Sequence, residues 1–197
     1  MTSQARASFI LASASPRRKT LLAKAGYLFD VIPSTVDESI PEAAGIGSLE
    51  HAKLLALTKA KAVAALYPSK LVLGADTIVD FNGRIIGKPK DADDAEKITR
   101  MLFSEPHKVI TAAAFVKIDE KIEIIETDTT IVYPRKLTEK QIREHIKNGN
   151  WHGKAGAYGI QETGEKFVER IDGSLTNVMG FPMELVNELL KQFVLKS

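Results

Sequence analysis

Two adjacent arginines follow a serine-rich turn near the start of the chain. The turn, residues 13–18 with the sequence SASPRR, comes after an apolar run and begins a predicted helix at Ser15-Pro16. Arg17 and Arg18 then lie in the first helical turn, where the helix dipole disfavours cations. A bound anion resolves this conflict, because helix N–H groups, serine hydroxyls and guanidinium groups all match phosphate oxygens. The turn predicts a phosphate site, with two solvated surface arginines as the alternative.

A lysine and an aspartate interrupt apolar patterns further along the chain. On a predicted helix over Ser48 to Leu66, Lys59 lies in the middle of the apolar face. Its ammonium must either reach the surface or point at a bound anion. Asp76 follows the apolar run 71–75, where a carboxylate needs a cation, a metal or several donors. The alternative for Asp76 is an aspartate that ends the strand and binds turn amides.

Several other residues are candidates for a functional site, although each of them alone is a weaker indication than Lys59 or Asp76. Glu38, in a long polar loop, and Asp80 are carboxylates that could join Asp76 around a hard divalent cation. Lys88 lies between Gly87 and Pro89, which restrict the backbone and so aim the ammonium. In the stretch 155–161, AGAYGIQ, small residues allow a flat ligand to approach and Gln161 offers both a donor and an acceptor. The four histidines show no metal-ligand or triad spacing and are interpreted as structural.

Strands that alternate with helices and also pair in hairpins predict an α/β fold with a mixed sheet flanked by helices. The Asn82-Gly83 pair predicts a two-residue hairpin turn, and a second hairpin turns at 119–121. Asp91 and Thr138 are predicted helix caps. The predicted strands are Phe9–Ala12, Tyr27–Ile32, Leu71–Val79, Arg84–Ile86, His107–Ile118, Ile122–Val132 and Lys166–Ile171; the predicted helices are 15–25, Ser48–Leu66, 91–103, Thr138–Ile146 and Pro182–Phe193, with a loop over 33–47 and a glycine-rich segment over 148–164.

The composition restricts the class of protein. A chain of 197 residues with 44% hydrophobic and 26% charged residues predicts one globular domain, 1–197, with two lobes. With 27 basic against 25 acidic residues there is no bulk field to attract nucleic acid or an acidic membrane. The absence of cysteine excludes disulfides and thiolate sites. No apolar run is long enough to span a membrane, and we expect a cytoplasmic protein.

Together these segments resemble the Maf family of nucleoside triphosphate pyrophosphatases from Ile10 to near Phe193. The matching motifs are S-x-S-P-R-R at 13–18, Glu38, Lys59-Ala60, G-A-D-T at 74–77, Lys88-Pro89, H-x-V-x-T at 107–111, A-G-A-Y-G-I-Q at 155–161 and Gly173-Ser174 to Pro182. Ala112 stands where the family usually has glycine. The segment Trp151-His152-Gly153 is not matched to a motif of the family.

The resemblance implies a fold similar to the inosine triphosphate pyrophosphatases, with an elongated mixed sheet, a cleft between two lobes and a homodimer. It implies hydrolysis between the α- and β-phosphates with Mg²⁺ or Mn²⁺. Asp76 then activates water or binds the metal, and Glu38 helps to hold the metal. Lys88 is implied to act in catalysis together with Asp76 and Glu38. The residues implied to bind substrate are Ser13, Arg17, Arg18, Lys59, Thr77 and Gln161.

Arg17, Thr77 and Gln161 match the positions of the family branch that acts on dTTP and UTP. The amide of Gln161 can also pair with the O4/N3 edge of uracil or thymine. Modified pyrimidine nucleotides, such as 5-methyl-UTP or pseudouridine triphosphate, are further candidate substrates. The alternatives are hydrolysis of 7-methyl-GTP or another noncanonical nucleotide, and a nucleotide-sensing regulator of cell division without turnover.

Overall fold

The structure is a computed structural model and describes residues 8–36 and 46–194. Its strands are β1 (Phe9–Leu11), β2 (Phe29–Val31), β3 (Val72–Phe81), β4 (Arg84–Ile86), β5 (His107–Lys117), β6 (Ile122–Pro134) and β7 (Val168–Asp172). Its helices are α1 (Pro16–Lys24), α2 (Ser48–Ala64), α3 (Ala92–Leu102), α4 (Glu139–Asn148), α5 (Ile160–Phe167), α6 (Leu175–Val178) and α7 (Met183–Val194), with a 3₁₀ turn at Ala155–Ala157.

The strands form one mixed sheet, in agreement with the predicted α/β class. The order is β2-β1-β3-β5-β6-β7, and β4 pairs with β3. β1 is parallel to both β2 and β3, whereas β3, β5, β6 and β7 are mutually antiparallel along the order. Separate hydrophobic clusters cover the two faces of β1, β3 and β5, one including α7 and the other including α2.

Helix α2 lies unusually close to β3 because both surfaces carry small residues. Ala52, Ala56 and Ala60 of the helix are fully buried, and a Cβ atom added to Gly74 of β3 would lie only 2.5 Å from the Ala56 carbonyl oxygen. Gly74 therefore leaves the space that the backbone of α2 occupies. This short distance between helix and sheet allows a side chain of α2 to meet a side chain of β3.

The β3 strand has an unpaired stretch on one edge. β1 pairs with it only as far as Leu73, and β4 begins pairing at Val79. Between these positions β5 continues on the opposite edge without interruption. A gap therefore opens in the sheet beside residues 74–78, on the edge of β3 that faces away from β5.

The predicted hairpins and caps are confirmed, whereas the glycine-rich segment was only partly anticipated. Asn82 and Gly83 both have positive φ, as a primed two-residue turn requires, and Thr138 forms a capping box with Gln141. Residues 160–167 are helical, where a glycine-rich segment to residue 164 and a strand from Lys166 were predicted, and β7 consequently starts at Val168. A short helix at Leu175–Val178 was also missed. Among the described residues, the helices are too short or too polar to cross a membrane.

Candidate active site

A cavity of about 820 Å³ opens at the gap beside β3. The cavity is lined by β3, by the turn before α1 with the first residues of that helix, by one face of α2, by the C-terminal end of β4, by residues 152–161, by the turn after α6 and by Val109 of β5. The size is typical of a pocket for a small molecule. The predicted site residues that line this cavity are Ser13, Arg17, Arg18, Lys59, Asp76, Thr77, Lys88 and Gln161. Glu38 lies outside the described residues, so its place in the site stays a prediction.

Lys59 and Asp76 form a buried ion pair in the cavity wall. The Lys59 Nζ atom lies 2.6 Å from Asp76 Oδ1, and the two side chains are only 7% and 11% exposed. The strand continues five residues beyond Asp76, so the alternative of an aspartate that ends the strand is wrong. Lys59 does not extend to bulk solvent either, because α2 approaches the sheet closely enough to deliver its ammonium to the carboxylate.

Arg18 lines the cavity, and its guanidinium is held by hydrogen bonds within the protein. Its Nε donates to the Gly180 carbonyl oxygen at 2.8 Å, and its Nη1 donates to Ser13 Oγ and to the Ala75 carbonyl oxygen, both at 3.0 Å. Its Nη2 donates to Thr77 Oγ1 at 2.9 Å. Four of the five N–H donors of the guanidinium are thereby used within the fold.

The bond from Arg18 to Ala75 lies in the gap of the sheet. The Ala75 carbonyl faces the edge that neither β1 nor β4 covers, and a guanidinium there satisfies an acceptor that a strand would otherwise bind. Arg18 thus joins α1, β3 and the turn after α6. Its two predicted companions in phosphate binding, Ser13 and Thr77, are partners of the same guanidinium.

A network of hydroxyl and amide groups continues from Thr77 into the interior. Its Oγ1 lies 3.0 Å from Thr111 Oγ1, whose hydroxyl donates to the Asn177 carbonyl oxygen at 3.2 Å. The Asn177 side chain is fully buried and donates to the Val109 carbonyl oxygen and to Thr130 Oγ1. The network fixes the turn that delivers Gly180 to Arg18, so these polar residues shape the cavity floor.

The cavity carries a strong local positive charge in a chain that is close to neutral. Its described lining includes five basic side chains and a single carboxylate, Asp76, which leaves a net charge of four positive units; the basic residues are Arg17, Arg18, Lys59, Lys88 and Lys154. A nucleoside triphosphate carries about four negative charges, so charge complementarity favours a polyphosphate ligand.

The donor set at Asp76 is compatible with Mg²⁺ or a similar ion. Lys59 binds Oδ1, and the described part of the chain forms no hydrogen bond to Oδ2. No cluster of three or more metal-ligating side chains occurs among the described residues, but Mg²⁺ commonly uses one or two carboxylates together with substrate phosphates and water. Asp80, the other candidate ligand on β3, instead accepts hydrogen bonds from Ser48 Oγ and the Gly83 N–H.

The structure separates the four histidines into two pairs. His107 and His145 lie in the core, where their Nε2 atoms bond to the Tyr158 hydroxyl at 2.7 Å and to the Ala157 carbonyl at 2.8 Å. Burial lowers the pKa of His107 to about 4 and raises the pKa of the Tyr158 phenol. His51 and His152 line the cavity. His51 precedes Lys59 by eight residues on α2, about 80° around the helix, so the spacing did not indicate that His51 lines the cavity.

Comparison with known proteins agrees with this site. The family described as Maf-like protein matches residues 8–193. A protein of Bdellovibrio bacteriovorus is 44% identical over 193 residues, covering 94% of this chain and 98% of its own length; one of Elusimicrobium minutum is 45% identical over 184 residues, covering 93% and 97%. Both carry the name dTTP/UTP pyrophosphatase, as does a protein of Ruminiclostridium cellulolyticum that is 40% identical over 185 residues, with 94% and 95% coverage.

Among solved structures, the Staphylococcus aureus Ham1 protein matches with a TM-score of 0.41 and 17% identity, over 64% of this chain and 71% of that chain. A likeness of this extent carries no argument about the site. The family match over most of the chain and the full-length relatives instead identify the family. From them it follows that the chain belongs to the Maf-like protein family.

Proposed function

We propose that this protein is a nucleoside triphosphate pyrophosphatase that hydrolyses dTTP and UTP to the nucleoside monophosphate and pyrophosphate. The observation that carries the proposal is the cavity itself, in which a buried Lys59–Asp76 pair lies within a net excess of four positive charges. The three relatives named above bear this activity in their names and align over more than nine-tenths of this chain. The motifs that mark the dTTP and UTP branch support the choice of pyrimidines.

In this mechanism Asp76 is the base, and the bonds change at a single phosphorus atom. A water oxygen attacks the α-phosphorus and gives a proton to Asp76 Oδ2, while the bond from the α-phosphorus to the bridging oxygen breaks and pyrophosphate leaves. Lys59 holds Asp76 Oδ1 and so orients the carboxylate. Arg17 and Lys88 stabilise the charge on the phosphates, which is the main requirement of phosphoryl transfer.

A divalent cation completes the proposed site. Asp76 and Glu38 would hold Mg²⁺ or Mn²⁺, which supplies Lewis-acid polarisation of a phosphate oxygen. The homodimer implied by the family resemblance and the cytoplasmic location expected from the sequence stay proposals, and light scattering of the purified chain tests the first of them.

The test is pyrophosphate release from dTTP, UTP, CTP, GTP, ATP and 7-methyl-GTP, with Mg²⁺ or Mn²⁺ and again with excess EDTA. We expect selectivity for dTTP and UTP, loss of activity with EDTA, and loss of at least about 100-fold in kcat for Asp76→Asn. Asp119→Asn is the matched control, because Asp119 lies exposed in the β5–β6 turn. Activity centred on 7-methyl-GTP would contradict the pyrimidine assignment. Binding of nucleotide without any turnover would instead support the regulator.

A further inference from the structure

Trp151 and His152 form a stacked aromatic pair at the edge of the cavity, and His152 is part of the cavity lining. Their ring centroids lie 3.6 Å apart and their planes are inclined by only 19°. Trp151 is buried, packs against the cluster that contains Ala95 and Ala157, and its Nε1 donates to the Ile146 carbonyl oxygen at 3.0 Å. The indole ring is thus fixed in position, and it supports the imidazole ring that stacks on it.

The imidazole is held in one orientation. His152 Nδ1 lies 2.7 Å from the Gly149 carbonyl oxygen, so that nitrogen carries the proton and donates. Gly149 has a φ of 70°, and a Cβ atom there would approach the ring to 3.2 Å. A glycine at this position therefore both closes helix α4 and leaves room for the ring. Backbone, indole and hydrogen bond together preorganise an exposed aromatic residue.

This exposed ring lines the cavity, and packing alone does not explain it. The same segment continues through Lys154 to Tyr158 and Gln161, so the aromatic ring and the predicted reader of the base edge lie on one continuous stretch of wall. The phosphate-binding candidates Arg17 and Lys88 belong to other segments. A flat aromatic surface beside an amide is the combination that binds a nucleobase, by stacking on its face and hydrogen bonding at its edge.

We propose that His152, supported by Trp151, is the platform on which the nucleotide base stacks. The inference rests on the proposed function, since it assigns the base end of the same substrate. Stacking of a base on an aromatic side chain contributes about 1–3 kcal/mol, which corresponds to roughly 5- to 150-fold in affinity. Because stacking is tolerant of base identity, His152 provides affinity and position, while selection among bases is left to the edge contacts.

The single tryptophan of the chain provides a direct reporter. Trp151 touches His152, so a base that stacks on the imidazole should change the indole fluorescence. We would titrate the wild-type protein with dUMP, with 2-deoxyribose 5-phosphate and with pyrophosphate. We expect a saturable change with dUMP and none with the two ligands that lack a base. Equal affinity for dUMP and 2-deoxyribose 5-phosphate would overturn the proposal.

Variants at residue 152 supply the second arm. We expect His152→Ala to raise KM for UTP about tenfold with kcat within twofold and an unchanged melting temperature, whereas His152→Phe, which keeps a stacking ring, retains most of the affinity. A wild-type KM in His152→Ala would contradict the proposed stacking on His152 and would leave the proposed function intact. If the wild-type protein itself hydrolyses neither dTTP nor UTP, the proposed function fails instead, and the fluorescence titration still reports on the platform.

Discussion

Lys59 of α2 and Asp76 of β3 meet at 2.6 Å inside the wall of the cavity, 17 residues apart in the chain. Removing both groups from water costs several kcal/mol of free energy. The attraction between the ammonium and the carboxylate offsets this cost. The pair therefore links the stability of the fold to the chemistry of the site. Single substitutions there change both properties at once, and only a combination of variants separates them.

For the first prediction, Lys59→Met should destabilise the protein by about 3–5 kcal/mol, because it leaves the Asp76 carboxylate buried without its partner. The double variant Lys59→Met, Asp76→Leu should recover most of this loss yet stay inactive. Urea denaturation and pyrophosphate release measure the two properties. Lys61→Met is the control, since Lys61 lies on the same helix and its pair with Glu123 of β6 is about half exposed and contributes little. If Lys59→Met is as stable as the control, the pair does not hold the site together.

A second prediction distinguishes the two adjacent arginines. Arg18→Lys should lower stability by roughly 2–4 kcal/mol, because one ammonium cannot replace donors that reach Gly180, Ser13, Ala75 and Thr77. Arg17→Lys should leave the melting temperature unchanged and raise KM for the nucleotide. Thermal denaturation with steady-state kinetics checks both variants. Equal melting temperatures for the two would mean that the contacts of Arg18 are not structural.

The third prediction concerns the contact between helix α2 and the sheet. Gly74→Ala places a methyl group 2.5 Å from the Ala56 carbonyl oxygen and 2.8 Å from the Ala60 nitrogen. The helix must move away, so we expect a loss of more than about 3 kcal/mol, measured by urea denaturation. Gly47→Ala is the matched control, since nothing lies within 4 Å of the added atom. A Gly74→Ala protein of wild-type stability would show that α2 can shift without cost.

The fourth prediction is a pH dependence of stability that arises from His107. Burial lowers its pKa to about 4 in the folded protein, against 6.5 for the ordinary group. Between these values the unfolded chain binds a proton that the folded protein does not, so the free energy of unfolding falls as the pH drops from 6.5 to 4. The loss amounts to about 3 kcal/mol at most.

Urea midpoints at pH 7, 5 and 4 measure this effect in the wild type and in His107→Gln. The variant should lose less stability on acidification, and the remaining loss includes His145, whose pKa burial also lowers. Parallel pH profiles for the two proteins would contradict the assignment to His107.

The sequence predicted features that depend on a few neighbouring residues, such as turns, helix caps and charged residues within apolar patterns. Asn82-Gly83 and Thr138 act within a few residues, so their turn and cap could be predicted. Lys59 and Asp76 could each be recognised as anomalous in an apolar pattern. That they satisfy each other could not be predicted, because it depends on how closely two separate elements pack.

Contacts between distant segments explain most of the remainder. Arg18 binds the Gly180 carbonyl across 162 residues, and no pattern around residue 18 indicates that partner. The two arginines were therefore predicted together as phosphate ligands, and the bracing contacts that Arg18 makes within the fold could not be predicted. Residues 160–167 were missed as a helix because the surrounding glycines indicate a loop, and tertiary packing of Ile160 and Phe167 overrides that local preference.

The gap in the sheet beside residues 74–78 has a consequence for how such a protein can diversify. The segments that surround it come from separate parts of the chain, while β5 and β6 pair over eleven consecutive positions away from it. Each segment can therefore change its side chains without disturbing the register of the main hairpin. New substrates become accessible by successive small replacements around a scaffold that stays constant, with the buried lysine–aspartate pair kept in place throughout.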